Sequence, residues 1–570
     1  MDRDNRTDNR EDGVMYADEF LNSRTQDVYL HYPVNSNPVI PRQLRRRATS
    51  NLKSPNYLSD KRKQEVTPVV NPSLRYLDLH SWNAKRMKMR PMWGWCLPYV
   101  DNQRAVGNSL KIVSKCSAIH DASYYEFITV RGYFDCIRTI ISQISLNKCI
   151  ITNTDMVSDR LIVVPVFSLY SKPVCCIGPV YMLVEQDPPV RSFSVATSPV
   201  TVWILCHPSI SDTVFSILRQ TAGSFASVAY DTSFSLLSIR GSHSWDLLQS
   251  VFRTPLPDEA SLADGQLLSA SLSPSPASSP YYAPEFASQG PGRRSRPPQV
   301  FSPRNAAELA TAPAFVPDDL PDTRVLLVRR SPTRLGRAMS GCDVIVPRSA
   351  LPLLWRRLCG HEVVVMAQLE WHALHTCFGQ PLFPYDFPDT PSGLSFMLQY
   401  YVSPFAPSDV PPARARDALR AVYEALAERG GRTPLVPVER DANMIRVLLP
   451  KPSRTDEYLS EASCLVPVNV KVNGRGSISL PCAIRVPTKQ DLASDRAELR
   501  MSLEANPMIG FITSFIWSPK ASAYVAMGFC VSNLLWSCLC DQGSRFNCVV
   551  LLSDEVSGLS CFARLTVIDE

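Results

Sequence analysis

A chain of 570 residues, 45% apolar and 20% charged, has the composition of a folded globular protein and is long enough for two to four domains. Its 48 prolines exceed the usual share of about 5%, which excludes one uniformly compact unit and indicates linkers and irregular connections. The net charge of +6 is informative only after it is divided along the chain.

Positive charge is concentrated near the start of the chain. Residues 1–40 carry 4 basic and 8 acidic side chains, whereas residues 41–115 carry 16 basic and 4 acidic ones. All of the excess positive charge therefore lies in one short segment. Such asymmetry indicates an anionic partner, either nucleic acid or an acidic membrane surface.

The first 123 residues predict little regular structure. Residues 1–40 form an N-terminal arm, in which Asp18–Val28 has the spacing of one or two helical turns. The basic region, residues 41–123, shows few strong helical or strand periods before Tyr124. We therefore expect this region to become ordered mainly through contact with a partner.

From Tyr124 onward the pattern predicts mixed α and β structure in an α+β, multi-domain chain. Residues 124–253 alternate apolar strands with two amphipathic helices: strands at Phe127–Val130, Leu161–Val166, Val180–Val184 and Val202–Leu205, helices at Asp135–Ser145 and Ser211–Ala222. Residues 254–320 are rich in Pro, Ser and Gly and predict a linker.

Two further domains are expected after the linker. Residues 321–460 predict a second α+β domain, with strands at Val325–Val328 and Asp343–Val346 and a helix at Pro412–Arg429. Residues 461–570 predict a β-rich C-terminal domain with four strand-like runs: Cys464–Val472, Ile509–Phe515, Cys548–Leu552 and Ala563–Ile568.

One segment has the length of a membrane span. Ala521–Cys540 carries no charge over about the 20 residues that cross a bilayer. It contains several serines, however, and its close flanks are Lys520 and Asp541. We therefore predict a core strand followed by a buried helix, and no membrane partner.

Two motifs in the basic region carry residues suited to RNA. The first runs from Arg42 to Lys53, with its cations at Arg42, Arg45, Arg46, Arg47 and Lys53. Adjacent arginines cannot share one helix face, and their guanidinium groups match phosphate oxygens and stack on exposed bases. A nuclear-import signal or a solvated arm is the alternative, and it is compatible with RNA binding.

The second motif interleaves tryptophans with cations within fourteen residues. Its members are Trp82, Lys85, Arg86, Lys88, Arg90, Trp93 and Trp95. Cations neutralise phosphates and release counterions, and indole rings offer stacking surfaces worth about 1–3 kcal/mol per base. Composition alone allows equally that the tryptophans anchor the segment in the protein core.

Motifs for catalysis are scarce. The chain has no phosphate-binding GxxxxGK[ST] loop, no GxSxG and no HExxH. His372 and His375, with Asp386 and Asp389 downstream, could together ligate a divalent metal. Their spacing is loose, and the surrounding prolines favour a rigid turn in which the two aspartates accept backbone hydrogen bonds.

The same residues resemble a known family, the largest protein subunit of eukaryotic nuclear ribonuclease P and ribonuclease MRP. Pro41–Ala48 is similar to its proline-arginine signature, and Trp82–Arg86 with Trp93–Leu97 to its tryptophan-rich segment, with Asn83 where histidine is usual. Further landmarks follow in order: Asp121–Tyr125, Ile177–Val180, Val202–Pro208, Asp386–Gly393 and Gly510–Arg564.

The resemblance implies a function and a fold. It implies a non-catalytic RNA-binding scaffold that stabilises the catalytic RNA of the two ribonucleases, for 5′ maturation of precursor tRNA and for pre-rRNA processing. It implies domains remotely similar to the aminomethyltransferase architecture, which carries no function by itself. It also implies that Asp386, Phe387, Pro388, Asp389 and Gly393 form a structural motif.

The resemblance also implies partners and a location. The expected partners are the ribonuclease P or MRP RNA, precursor tRNA within the holoenzyme and other protein subunits, in the nucleus and its nucleolus. We expect no cofactor on the protein itself and Mg²⁺ on the partner RNA. Two alternatives are a ribosome-assembly or rRNA-binding factor without a nuclease, and a stand-alone metal hydrolase.

Overall fold

The computed structural model of the chain describes most residues after Ser73. These are residues 74–102, 104–113, 115–146, 160–168, 174–185, 199–252, 255–272, 323–331, 337–400, 438–440, 442–449, 464–472, 482–492, 506–554 and 560–568. The chain divides by its contacts into two units, Met1–Pro72 and Ser73–Glu570. The described residues all belong to the second unit. The predicted helices at Asp18–Val28 and Pro412–Arg429 lie outside the described residues.

The described residues contain twenty strands and eleven α-helices. The strands are β1 Arg75–Tyr76, β2 Met87–Met92, β3 Trp95–Asp101, β4 Ser117–Asp121, β5 Glu126–Tyr133, β6 Ile162–Phe167, β7 Cys176–Glu185, β8 Pro199–Cys206, β9 Ala226–Asp231, β10 Phe234–Arg240, β11 Leu267–Leu272, β12 Thr323–Arg330, β13 Gly341–Pro347, β14 Val363–Val365, β15 Leu465–Val472, β16 Cys482–Arg485, β17 Met508–Ser518, β18 Ala523–Val531, β19 Asn547–Asp554 and β20 Ser560–Val567. The helices are α1 His80–Ala84, α2 Val106–Val113, α3 Phe134–Ile144, α4 Ser211–Ala222, α5 Ser244–Val251, α6 Leu351–Cys359, α7 Gln368–Cys377, α8 Pro391–Tyr400, α9 Ala442–Leu448, α10 Lys489–Leu492 and α11 Ser532–Asp541.

A six-stranded sheet lies at the centre of this unit, in the order β11–β12–β13–β10–β4–β14. Neighbouring strands are antiparallel except β14, which is parallel to β4. Leu237 and Val344 on one face pack with side chains of α5 and α6. Leu236 and Ile345 on the other face pack with side chains of β3 and β5. Because both faces are buried, the strands are apolar at most positions.

This sheet differs from the predicted division into domains. Its strands come from the predicted basic region, the first α+β domain, the linker and the second α+β domain. Leu267–Leu272 is a paired strand within the predicted linker, where Ser269 and Ser271 alternate with apolar residues. A short strand with alternate serines has the same composition as a linker. Only its pairing with β12 identifies the segment as a strand.

The basic region also differs from its prediction. After Leu74 it forms α1, a three-stranded sheet in the order β1–β3–β2, α2 and the buried strand β4. Helix α7 contacts β3 and α2, so the sheet is attached to the rest of the unit by protein contacts. Protein contacts therefore give this part of the region a regular fold.

A five-stranded antiparallel sheet in the order β6–β7–β8–β5–β9 carries α3 and α4 on one face. The isoleucines of α3 recur at helical spacing, at Ile137, Ile140, Ile141 and Ile144, and all are buried there. The predicted strands and helices of this part are confirmed.

The C-terminal part is a closed six-stranded barrel, β15–β18–β17–β16–β19–β20. The predicted α+β class with a β-rich C-terminal end is confirmed. Ala521–Cys540 contains β18 followed by α11, the strand and helix that the sequence predicts. Among the described residues, no helix is long and apolar enough to cross a membrane.

Candidate nucleic-acid interface

The two basic motifs differ in what the structure describes. Arg42, Arg45, Arg46, Arg47 and Lys53 lie outside the described residues, so their contacts with RNA stay a prediction. The tryptophan motif lies within the described residues and forms α1 and the hairpin of β2 and β3.

The hairpin turn consists of Trp93 and Gly94. Met92 pairs with Trp95 across the turn, and both turn residues have positive φ, 52° for Trp93 and 77° for Gly94. Positive φ at both positions is what a two-residue type I′ turn requires, and glycine favours it. The Trp93 ring lies edge-on to His207, with ring centroids 4.3 Å apart. The turn thus fixes Trp93 against the body of the protein.

Trp82 is a core residue. Its side chain is buried and meets Trp355 edge to face, with ring centroids 5.1 Å apart. The Arg86 guanidinium lies 4.3 Å from the centroid of the Trp82 ring, and its Nη1 donates to the Trp82 carbonyl oxygen at 3.2 Å. The structure contradicts the prediction that a base stacks on Trp82, because protein side chains enclose its ring.

Trp95 is also buried by its neighbours. The Arg75 guanidinium lies 4.5 Å from its ring centroid and forms an ion pair with Glu126. The prediction that a base stacks on Trp95 is contradicted in the same way, because this ring is also buried. Composition allowed either base stacking or anchoring in the protein core. Trp82 and Trp95 anchor the segment in the core.

Asn83 is enclosed together with Asp121. Asn83 is fully buried, and burial raises the pKa of Asp121 to about 6 against the lowering effect of hydrogen bonds from Ser123. Asn83 is therefore a residue of the protein interior. The family usually has histidine at this position. Because Asn83 is buried, this difference changes no side chain on the surface that could contact RNA.

The lysines of the motif point to solvent. Lys85 and Lys88 are exposed, and in the described part of the chain neither forms an ion pair. Arg90 differs from them, because its guanidinium lies 4.8 Å from the centroid of the Tyr99 ring. Buried indoles thus hold a small folded platform, formed by α1 and the hairpin of β2 and β3, that presents two lysine ammonium groups to solvent.

The second motif of interest begins at Asp386, which is fully buried. Its Oδ1 accepts hydrogen bonds from Thr513 at 2.8 Å and Ser514 at 3.1 Å. Its Oδ2 accepts from the Leu382 amide at 3.1 Å and lies 3.3 Å from His372 Nε2. Burial alone would raise the pKa of Asp386, but His372 and these donors hold it below its ordinary value. The carboxylate joins α7 to barrel strand β17.

Asp389 makes a separate connection. Its two carboxylate oxygens accept from Arg440 Nη2 at 2.6 Å and Nη1 at 2.8 Å. The same guanidinium lies 4.1 Å from the centroid of the Phe387 ring. A bidentate pair against an aromatic face fixes both partners in orientation. Residues 386–389, with Pro388 between Phe387 and Asp389, therefore connect α7, the barrel and the segment at Arg440.

Gly393 permits this turn to close. A Cβ atom there would lie 2.0 Å from the Phe387 carbonyl oxygen and 2.9 Å from that of Pro384. The amide of Gly393 donates to Thr390 Oγ1 at 3.0 Å. No side chain fits at this position without displacing the turn.

Two family models match the chain over these segments. Residues 70–133 match the N-terminal domain of the ribonucleases P/MRP protein subunit POP1, and residues 341–403 match the POPLD (NUC188) domain. Over these two segments the chain is similar to the POP1 family. The first match contains the tryptophan motif and its hairpin, and the second contains residues 386–393. The resemblance deduced from the sequence is thereby confirmed.

Other comparisons add less. No curated protein sequence matches the chain. Among solved structures, the glycine cleavage system aminomethyltransferase T from Bartonella henselae is 14% identical, with a TM-score of 0.46 over 87% of this chain and 97% of that chain. A similarity of that size carries no argument about what this chain does.

The residues of the metal-hydrolase alternative do not converge. His372 faces Asp386, Asp389 is held by Arg440, and neither ring nitrogen of His375 has a hydrogen-bond partner. Among the described residues no group of three or more His, Cys, Asp or Glu side chains could hold a metal ion.

Several partners of the site were missed at the sequence level. Arg75, Trp355 and Arg440 complete the contacts of Trp95, Trp82 and Asp389. Arg440 lies 51 residues from Asp389, and Trp355 lies more than 250 residues from Trp82. Local spacing carries no signal for such pairs, because the fold alone brings them together.

Proposed function

We propose that this chain is a non-catalytic, RNA-binding scaffold subunit of ribonuclease P and ribonuclease MRP. In this function it stabilises the catalytic RNA for 5′ maturation of precursor tRNA and for processing of pre-rRNA. The observation that carries the proposal is the POP1-family match over residues 70–133, which contain the platform with Lys85 and Lys88.

Electrostatics supports an RNA partner. RNA helices repel each other, and cations held on a rigid surface reduce that repulsion while releasing condensed counterions. The platform supplies lysines in fixed positions, and the preceding residues supply the arginine motif from Arg42 to Lys53. The chemistry belongs to the RNA in this proposal, with Mg²⁺ on phosphates that the protein helps to position.

Partners and location follow from the same proposal. The RNA component, precursor tRNA and other protein subunits would be found in one ribonucleoprotein complex, in the nucleus and nucleolus. In this proposal the motif around Asp386 and Asp389 has a structural role within the protein, because its polar groups are buried and bound to other protein side chains.

Identification of copurified RNA tests the proposal. The full chain, tagged and isolated from its own cells, is expected to carry a ribonuclease P-type or MRP-type RNA and to show precursor-tRNA cleavage. Recovery of pre-ribosomal RNA alone would favour the assembly-factor alternative and refute the scaffold.

Salt dependence tests the electrostatic part separately. If about six of the sixteen cations in residues 41–115 contact phosphates, log affinity should fall with log salt at a slope of roughly −4 to −5. Lys85→Ala with Lys88→Ala should reduce that slope by roughly 1.5. Lys471→Ala in β15 is a matched control, since it removes an exposed lysine from the barrel. A slope near zero for the wild-type chain contradicts the account.

A catalytic role for the protein has its own test. His372→Ala and His375→Ala would abolish cleavage by the intact complex only if these imidazoles acted in the chemistry. We expect the RNA-loaded complex to retain cleavage in each variant that keeps the fold, measured at equal RNA occupancy.

A further inference from the structure

A cavity of about 540 Å³ lies where the six-stranded sheet, the five-stranded sheet and α7 meet. Its volume falls within the roughly 300–1,000 Å³ of small-molecule sites. Aromatic and charged side chains make up much of its wall, among them Tyr124, Tyr125, Tyr181, Trp371, Arg330 and His375. The scaffold function gives this cavity no role.

Charge in the wall centres on Asp343. Its Oδ1 accepts from Arg240 Nη2 and Ser238 Oγ, both at 2.8 Å, and its Oδ2 accepts from Arg330 Nε at 2.6 Å. Two guanidinium groups therefore face one carboxylate inside the protein, and Asp264 at the rim is exposed to water. The interior has an excess of one positive charge, which favours an anionic group.

Arg330 is placed to receive that anion. Its Nε is used by Asp343, and within the described part of the chain its two Nη groups have no partner. The side chain is 21% exposed, and its guanidinium lies 5.4 Å from the centroid of the Tyr181 ring. A guanidinium so held retains the paired N–H groups that match phosphate oxygens.

Planar surfaces dominate the rest of the wall. Trp371 is stacked on His120, with ring centroids 4.8 Å apart and planes 10° apart. Tyr124 and Tyr125 lie on the same cavity, with ring centroids 5.3 Å apart. Such faces favour a flat, conjugated ligand because aromatic rings stack in offset or edge-on arrangements.

His375 supplies hydrogen-bonding capacity that the fold leaves unused. It lines the cavity, is 8% exposed, and neither Nδ1 nor Nε2 has a hydrogen-bond partner. Burial lowers the pKa of His375 to about 3, so its imidazole is neutral and offers one donor and one acceptor. An unsatisfied buried polar ring destabilises a protein, so a ligand that pairs with it explains its presence.

We propose that the cavity binds a nucleotide, with its base against the aromatic wall, its base edge hydrogen-bonded to His375 and its phosphate on Arg330. The same chemistry is offered by a free mononucleotide and by one unpaired nucleotide of an RNA. Access lies at the rim, where Ser331, Gln380 and Pro381 are partly exposed. The inference goes beyond the scaffold function and stands without it.

Calorimetric titration of the full chain tests this proposal. AMP, GMP, CMP and UMP form one arm, and a short single-stranded RNA forms the other. His375→Phe keeps a ring in the core but removes both nitrogens, so it should weaken nucleotide binding about tenfold while the melting temperature stays or rises. His361→Phe changes an exposed imidazole outside the cavity and serves as the matched control.

A second variant protects the test against misfolding. Gln380→Trp blocks the rim without entering the core and should also weaken binding. Mononucleotide binding that both variants weaken supports a free nucleotide as ligand, and binding of the RNA alone, weakened in the same way, supports an RNA nucleotide. Absence of binding in both arms, or binding that neither variant changes, overturns the proposal.

Discussion

Replacement of Gly393 by alanine tests whether the turn at residues 386–393 holds the fold together. A Cβ at this position would lie 2.0 Å from the Phe387 carbonyl oxygen, whereas ordinary contact begins at 3.4 Å. The turn must therefore move by more than about 1 Å, which strains a packed interior. That displacement pulls on the hydrogen bonds of Asp386 and the ion pair of Asp389.

The expected size of the effect follows from opposing contributions. Alanine in a helix is favoured over glycine by about 1 kcal/mol. Overpacking costs about 1–3 kcal/mol, and weakening the buried polar contacts of Asp386 and Asp389 adds a similar amount. We expect Gly393→Ala to lower the free energy of unfolding by about 3 kcal/mol. Urea denaturation followed by circular dichroism measures it.

Gly107→Ala is the matched control. Gly107 is also helical, in α2, and a Cβ there meets nothing within 4 Å. This variant should be as stable as the wild type or more stable by up to about 1 kcal/mol. Hydrogen exchange should accelerate around Gly393 only in Gly393→Ala. Equal stability of the two variants would show that the close approach at Phe387 has no energetic weight.

Three further substitutions have expected outcomes. Trp82→Ala should destabilise the protein by about 3–5 kcal/mol in urea denaturation, because it leaves a core cavity beside Trp355; RNA affinity per folded molecule should be unchanged, and a selective loss of affinity would contradict burial as its role. Burial raises the pKa of Glu370 to about 7 from 4.5, so the wild type loses stability as pH rises through that interval. Glu370→Gln removes this loss and should be more stable than the wild type by up to roughly 3 kcal/mol at pH 8 but not at pH 4, and an equal pH profile for both would refute it. Asp389→Asn should cost about 2 kcal/mol and increase hydrogen exchange at Val438, whose amide donates to Asp389 Oδ2; unchanged exchange there would contradict a bracing role.

Helices and strands could be predicted from the sequence where their apolar residues recur with helical or strand periodicity. The apolar strands β5–β8 and the amphipathic helices α3 and α4 have periodicities set by burial of one face, so their positions follow from the sequence. Strand β2 could not be found this way. Its sequence, Met87–Met92, alternates sulfur-containing and cationic residues and includes a proline, and its pairing depends on the turn at Trp93 and Gly94.

The candidate interface was predicted in part. Exposed Lys85 and Lys88 are where the charge pattern placed them, but Trp82 and Trp95 are buried. A tryptophan among cations is compatible with both environments, and the choice depends on partners such as Trp355, more than 250 residues away. The pairing of Asp343 with Arg240 across 103 residues has the same origin and left no local signature.

The composition of the six-stranded sheet has a consequence for synthesis of the chain. Strand β4 ends at Asp121, its neighbour β10 begins at Phe234, and the parallel neighbour β14 is completed only at Val365. At about 5–20 residues per second, the ribosome takes roughly ten seconds to deliver β10 and longer to deliver β14. The hairpin of β2 and β3 can close within microseconds, whereas β4, which is fully buried in the folded protein, has no strand partner until then. A nascent chain of this architecture therefore exposes an unpaired strand during that interval, and binding of a chaperone or of a partner would cover it.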